Sequence, residues 1–353
     1  MMSGMRWRRI FPAALAAIAL AGFVTVGNVR AETTLTINGY GGAVWETIDK
    51  YIHAPYTAET GVKIVNTTQP NLAQLKAMVD SGNMIYEAIE LNGAEYVTAA
   101  KNGWIEEIDY GLADPQNRHP PEAKKKFGMV FATFSTIIGY RTDKFPEGKG
   151  PQSWADFWDV AKFPGKRSMQ NAFAPNLEIA LMADGVPKDK VYEVLATDEG
   201  VDRAFRKLDE IKPHVTKWWN TGAESVQLLA DGEVSMGQAW NGRIFDLAKT
   251  RPVQAVWNQG VMDVGILSVP KGNPLAKEAM KYFTAWGHPE RIAKFAEIMS
   301  YSNLLPGVND YLKPEQAAQL SSSHTDVQLT ANAEVWDSRR DALTERWNAW
   351  LLE

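Results

Sequence analysis

From Thr34 onward the chain alternates strand-like and helix-like stretches, and that order confines it to an α/β architecture. Residues 34–38 alternate polar and apolar side chains as a half-buried strand does, then break at Gly39, Tyr40, Gly41 and Gly42. An amphipathic helix follows, with Val44, Trp45, Ile48, Tyr51 and Ile52 on one face. Next come a strand at 62–65, a helix bearing Leu72, Leu75, Met78 and Val79, and a strand at 86–91. That strand turns at Asn92 and Gly93 into a further helix. Repeated strand–helix–strand order predicts a mainly parallel sheet covered by helices.

A long Thr/Ser-rich apolar stretch, 131–140, leaves this first unit, and the pattern then restarts. Ser153 with Asp156 reads as a capping box. A strand is expected near 166–170, helices over 175–183, 190–195 and 201–211, and a strand over 234–240 that passes through Asn241 and Gly242 into a helix from Arg243. A strand at 264–269 returns the chain to the first unit. The last helix carries Val335, Trp336, Leu343, Trp347 and Trp350 on one stripe, which reads as packing.

Arg6, Arg8 and Arg9 precede an apolar run over 10–26 that ends in Val29, Arg30 and Ala31. A basic segment, a hydrophobic run and a small-x-small site predict a cleavable signal peptide, residues 1–31, and export to the periplasm of a Gram-negative cell. Cleavage removes four arginines and no acid from the 37 basic and 42 acidic residues, leaving a formal charge of −9. That balance argues against nucleic acid or an anionic membrane surface as partner. With 0 cysteines the exported chain has no disulfide to form and no thiol nucleophile. The 322 residues from Glu32 exceed a typical single core, so two lobes are expected.

Two segments make the pattern recognisable: 232–242, which ends in Trp240, Asn241 and Gly242, and a run from Leu267 through Pro270, Lys271, Gly272, Tyr282 and Phe283 to Tyr301 and Pro306. With Ser153 to Trp158, they resemble the extracellular solute-binding proteins of ABC importers, the spermidine/putrescine-binding branch in particular. The resemblance implies a two-lobed periplasmic binding protein fold of type II, with hinge strands crossing between lobes and ligand in the interlobe cleft. Lobe 1 would comprise 32–141 with 263–305, and lobe 2 would comprise 142–262 with 306–353. It also implies a membrane permease as partner, a monomeric carrier and no cofactor.

A polyamine site needs several carboxylates, yet the turn expected to supply them, 170–176, contains no acid. Arg243, at a helix start, opposes the helix dipole and calls for an anion. Asp263 shares a strand face with Gly265, whose missing side chain would admit a ligand. A guanidinium and a carboxylate facing one cleft suit a zwitterion, favouring an ω-amino acid such as γ-aminobutyrate over putrescine or spermidine. The alternative is a structural bridge between Arg243 and Asp263. Tyr40, Gly41, Asn92, Gly93, Phe173, Trp219, Thr221 and Trp240 complete the expected ligand-binding set. A periplasmic enzyme is the rival class. The five histidines make no metal-ligand spacing and no GxSxG elbow is present, so neither catalytic nor metal residues are assigned.

Overall fold

The computed structural model describes residues 33–353 apart from Tyr40, Gly42, Gln69 and Glu147. The signal-peptide reading and Tyr40 therefore lie outside the described residues. Among the described residues ten strands form one sheet: β1 (Thr34–Gly39), β2 (Lys63–Thr68), β3 (Ala88–Asn92), β4 (Lys124–Lys125), β5 (Gly128–Arg141), β6 (Arg167–Gln170), β7 (Val215–Trp219), β8 (Met236–Trp240), β9 (Val253–Ser268) and β10 (Leu329–Thr330). The order is β2-β1-β3-β9-β5-β8-β6-β7, with β10 on β9 and β4 on β5.

The expectation of a mainly parallel sheet holds only on the flanks. β2-β1-β3 and β8-β6-β7 are parallel, whereas β3-β9, β9-β5 and β5-β8 are antiparallel. The centre is thus two long strands of 14 and 16 residues. β9 starts at Val253, well before the stretch expected at 264–269. Its first half buries Val253 and Val256 and exposes Gln254 and Asn258, a pattern without the strict period of two that marks a half-buried strand. The β5-β9 ladder shifts register twice, with an extra residue on β5 between Val130 and Ala132 and extra residues on β9 between Val256 and Val261, so each strand is irregular once along its length.

Two large cores flank this pair. One gathers Leu35, Trp45, Ile48, Phe131, Tyr282 and Trp286. The other gathers Trp154, Phe157, Leu177, Phe205, Trp336 and Trp347. Each such aliphatic or aromatic side chain removed from water contributes about 1.5–3 kcal/mol. Leu343, Trp347 and Trp350 of the last helix, Arg340–Leu352, pack into the second core as expected, whereas Trp336 reaches the same core from the preceding 3-10 helix, Ala333–Arg339. Among the described residues no helix is long and apolar enough to cross a membrane.

Local chemistry sets the element starts. Ser153 accepts from Asp156 N–H at 3.2 Å, while the Asp156 carboxylate reaches Gln152 N–H at 2.8 Å rather than closing the box on Ser153. Asn92 and Glu95 do form a full capping box at the start of helix Gly93–Lys101, as do Thr221 and Glu224 at helix Gly222–Ala230.

Candidate functional site

β3, β6 and β8 end at Asn92, Gln170 and Trp240, and all three residues line one cavity of about 270 Å³. Carboxyl ends of strands are where open α/β sheets hold ligands. The central pair supplies the floor. Register sets Phe134 opposite Asp263 and Thr136 opposite Val261, and all four line the cavity. Period-two alternation on two antiparallel strands thus turns one row of side chains toward the same space. Phe173 lines it from the helix after β6, and Trp336 and Arg340 line it from the C-terminal segment.

Asp263 is the acid of the floor. Its Oδ1 accepts from Val264 N–H at 2.8 Å, and the backbone N–H of Gly93 also donates to it. Burial pushes its pKa up to about 6, against the lowering effect of those donors and of Arg340. Gly93 is what lets the carboxylate come so near, since a Cβ there would lie 2.8 Å from Oδ1. Gly265 plays a different part from the one expected. A Cβ on it would lie 2.7 Å from the Phe131 ring, so it admits a core aromatic rather than a ligand.

Trp240 and Phe134 meet edge to face at 6.0 Å on the cavity wall. Trp219 stands behind them, fully buried, edge-on to Trp240 at 5.7 Å and donating from Nε1 to the Gln238 carbonyl at 3.0 Å. It supports the wall without lining it. Thr221 caps its helix and Gly41 is buried with φ 71°, and neither lines the cavity. Asn92 and Phe173 do line it, with the Asn92 side-chain oxygen committed to Glu95 N–H at 2.9 Å.

Arg243 is half-buried, the third residue of helix Asn241–Ala248, and it does not line the cavity. Its Nε is buried without a partner, and it would lie 3.4 Å from a Cβ on Gly222. The cation that does line the cavity is Arg340. Its Nε and Nη2 are buried without a hydrogen-bond partner. Among the described residues neither Arg340 nor Asp263 makes an ion pair. A guanidinium and a carboxylate therefore face one space and leave it open between them.

Sequence reasoning also missed Glu178. It is 2 % exposed and lines the cavity, and its Oε1 accepts from Trp336 Nε1 at 3.1 Å and from Tyr192 OH at 3.3 Å. Burial pushes its pKa up to about 7, with Asp263 adding to the rise. The signal was one acid within the apolar run 177–183; for Arg340 local spacing gave none, because Trp336 lies in a 3-10 helix, Ala333–Arg339, and Arg340 opens the α-helix after it.

A partly open cavity at strand ends, lined by aromatics and a few charged groups, defines a small-molecule-binding protein of α/β fold. The chain belongs to the bacterial extracellular solute-binding proteins, whose family model matches residues 51–324. It is 32% identical to the gamma-aminobutyric acid-binding protein of Pseudomonas aeruginosa PAO1, over 94% of this chain and 95% of that protein. It is 23% identical to the spermidine/putrescine-binding periplasmic protein of Salmonella typhimurium LT2, over 81% of this chain and 83% of that one. Among solved structures, the Atu4243-GABA receptor superposes with a TM-score of 0.82 at 31% identity, covering 90% of this chain and 98% of that one.

Proposed function

We propose that this chain is the substrate-binding component of an ABC importer, working in the periplasm after cleavage following Ala31. Its solute is a small zwitterionic ω-amino acid such as γ-aminobutyrate. The observation that carries the reading is the unpaired juxtaposition of Asp263 with a guanidinium at one aromatic-walled cavity. Asp263 takes the ammonium, and the rings of Trp240 and Phe134 cover the methylenes. An arginine takes the carboxylate through charge-assisted bonds, each contributing about 1.5–3 kcal/mol net. Two arginines have buried nitrogens in need of an acceptor, Arg243 beside the Trp240 turn and Arg340 in the cavity wall. The names of the P. aeruginosa relative and of the Atu4243 receptor point to the same solute.

In this reading 32–141 with 263–305 form one lobe, 142–262 with 306–353 the other, and β5 and β9 act as hinge strands. Solute that contacts both lobes favours the closed form, which the membrane permease then reads. Tyr40, Gly41, Trp219, Thr221 and Arg243 remain assigned to the site or its supports. The carrier acts as a monomer and without catalysis.

A polyamine is the second reading, and the pair Glu178 and Asp263 in one cavity favours it. Against it, a dication would have to settle beside Arg340. Isothermal titration of the mature protein with γ-aminobutyrate, putrescine and spermidine decides between them. The ω-amino acid reading expects micromolar or tighter γ-aminobutyrate binding, about −8 kcal/mol or better, and weaker polyamine binding. Tight putrescine binding with no heat from γ-aminobutyrate overturns it.

A further inference from the structure

We propose that Arg340, delivered by the C-terminal segment 332–340, is the residue that grips the solute's carboxylate and so selects an amino acid over a diamine. The inference rests on the ω-amino acid reading and deepens it.

Three observations carry it. First, Arg340 lines the same cavity as Asp263, and among the described residues it makes no ion pair, although Asp337, Asp341, Glu95 and Asp263 act on it from a distance. A guanidinium with two buried, unpartnered nitrogens is a costly arrangement unless an anion completes it. Second, Arg340 is the first residue of helix Arg340–Leu352, so the helix dipole opposes its charge rather than stabilising it. Third, the side chain stands beside an aromatic ring at the cavity wall, its guanidinium 6.0 Å from the Phe173 ring. Trp336, four residues earlier, is bonded to Glu178 on the same wall.

The segment that carries Arg340 is tied on both sides of the cavity. Asn332 N–H donates to Tyr192 OH at 2.8 Å, and Asp337 pairs with Lys101 at 2.9 Å. Ala333 sits against the Gly93 turn, 3.8 Å from where a Cβ on that glycine would be. Such anchoring lowers the ordering cost of recognition, which is how a few contacts give useful affinity. Arg243 shares the unpartnered Nε but not the cavity wall. Of the two cations, Arg340 is the one facing Asp263 across open space.

The test titrates γ-aminobutyrate and putrescine into the mature protein and into Arg340→Gln, Arg340→Lys and Arg243→Gln, with thermal melts of each. We expect Arg340→Gln to weaken γ-aminobutyrate by about tenfold or more and to leave putrescine unchanged or tighter, because a carboxylate partner is lost and a repelling cation removed. Arg340→Lys, which keeps the charge but not the planar fork, should fall between. If Arg340→Gln melts too low to assay, Arg340→Lys carries the test. A threefold or greater loss for γ-aminobutyrate alone supports the assignment, and unchanged affinity overturns it. Arg340→Gln binding γ-aminobutyrate within about twofold of wild type, or losing both ligands equally, overturns the Arg340 assignment alone. A wild-type protein that takes no γ-aminobutyrate overturns the ω-amino acid reading and this assignment with it.

Discussion

The indole N–H of Trp336 donates to Oε1 of Glu178 at 3.1 Å, joining the C-terminal segment to helix Phe173–Ala183 on the wall of the cavity. The two residues are 158 positions apart in the chain, and both are buried. Trp336 therefore does two things at once, filling the second core and lining the cavity. Trp336→Phe keeps an aromatic ring but leaves Glu178 one donor short, which costs about 1–3 kcal/mol for a buried polar group. Chemical denaturation should show that loss at neutral pH.

Glu178 should make stability pH-dependent. Its folded pKa, about 7, lies above the ordinary glutamate value of 4.5. Between those values the folded state holds a proton that the unfolded state has released, so stability falls as pH rises. The contribution is full below about pH 4.5 and lost through about pH 7, amounting to about 3 kcal/mol. Glu178→Gln holds the neutral form at every pH. Denaturation of wild type and variant at pH 5 and pH 8 should show the variant gaining relative stability at pH 8. A constant difference between the two pH values would refute the assignment.

Asp263 has the same sign and a different readout. Burial raises its pKa from 3.8 to about 6, so the unliganded protein is less stable with this group ionised. In the proposed function, solute capture needs the ionised form. Affinity for γ-aminobutyrate should accordingly fall as pH drops below about 6, approaching tenfold per pH unit. Asp263→Asn should weaken binding by about thirtyfold or more, since truncating one partner of a buried charge pair costs about 2–5 kcal/mol. The same variant should melt no lower than wild type at pH 7.5, which separates lost binding from lost folding.

Gly93→Ala tests how Asp263 is held. The added Cβ would lie 2.8 Å from Asp263 Oδ1, so the carboxylate must shift and its bond from Gly93 N–H must lengthen. Gly93 opens its helix without the positive φ that would penalise alanine. Stability should change by less than about 1 kcal/mol, because alanine is the better helix former. Titration should nonetheless show γ-aminobutyrate affinity reduced by about tenfold.

Sequence alone determined whatever depends on neighbours a few residues apart. The α/β order, the helix starts at Ser153 and after Asn92, and the tryptophan stripe near the C-terminus follow from periodicity, capping chemistry and family likeness. Tertiary structure decided the rest. It made the central pair β5 and β9 antiparallel, because strand direction depends on how the long chain returns and not on local pattern. It put Phe131, not solute, against Gly265. It also brought Arg340 and Glu178 into a cavity whose floor lies far from them in the chain, while Arg243 stayed off its wall. Helical spacing shows which side chains share a face, but only packing of distant segments decides what that face meets.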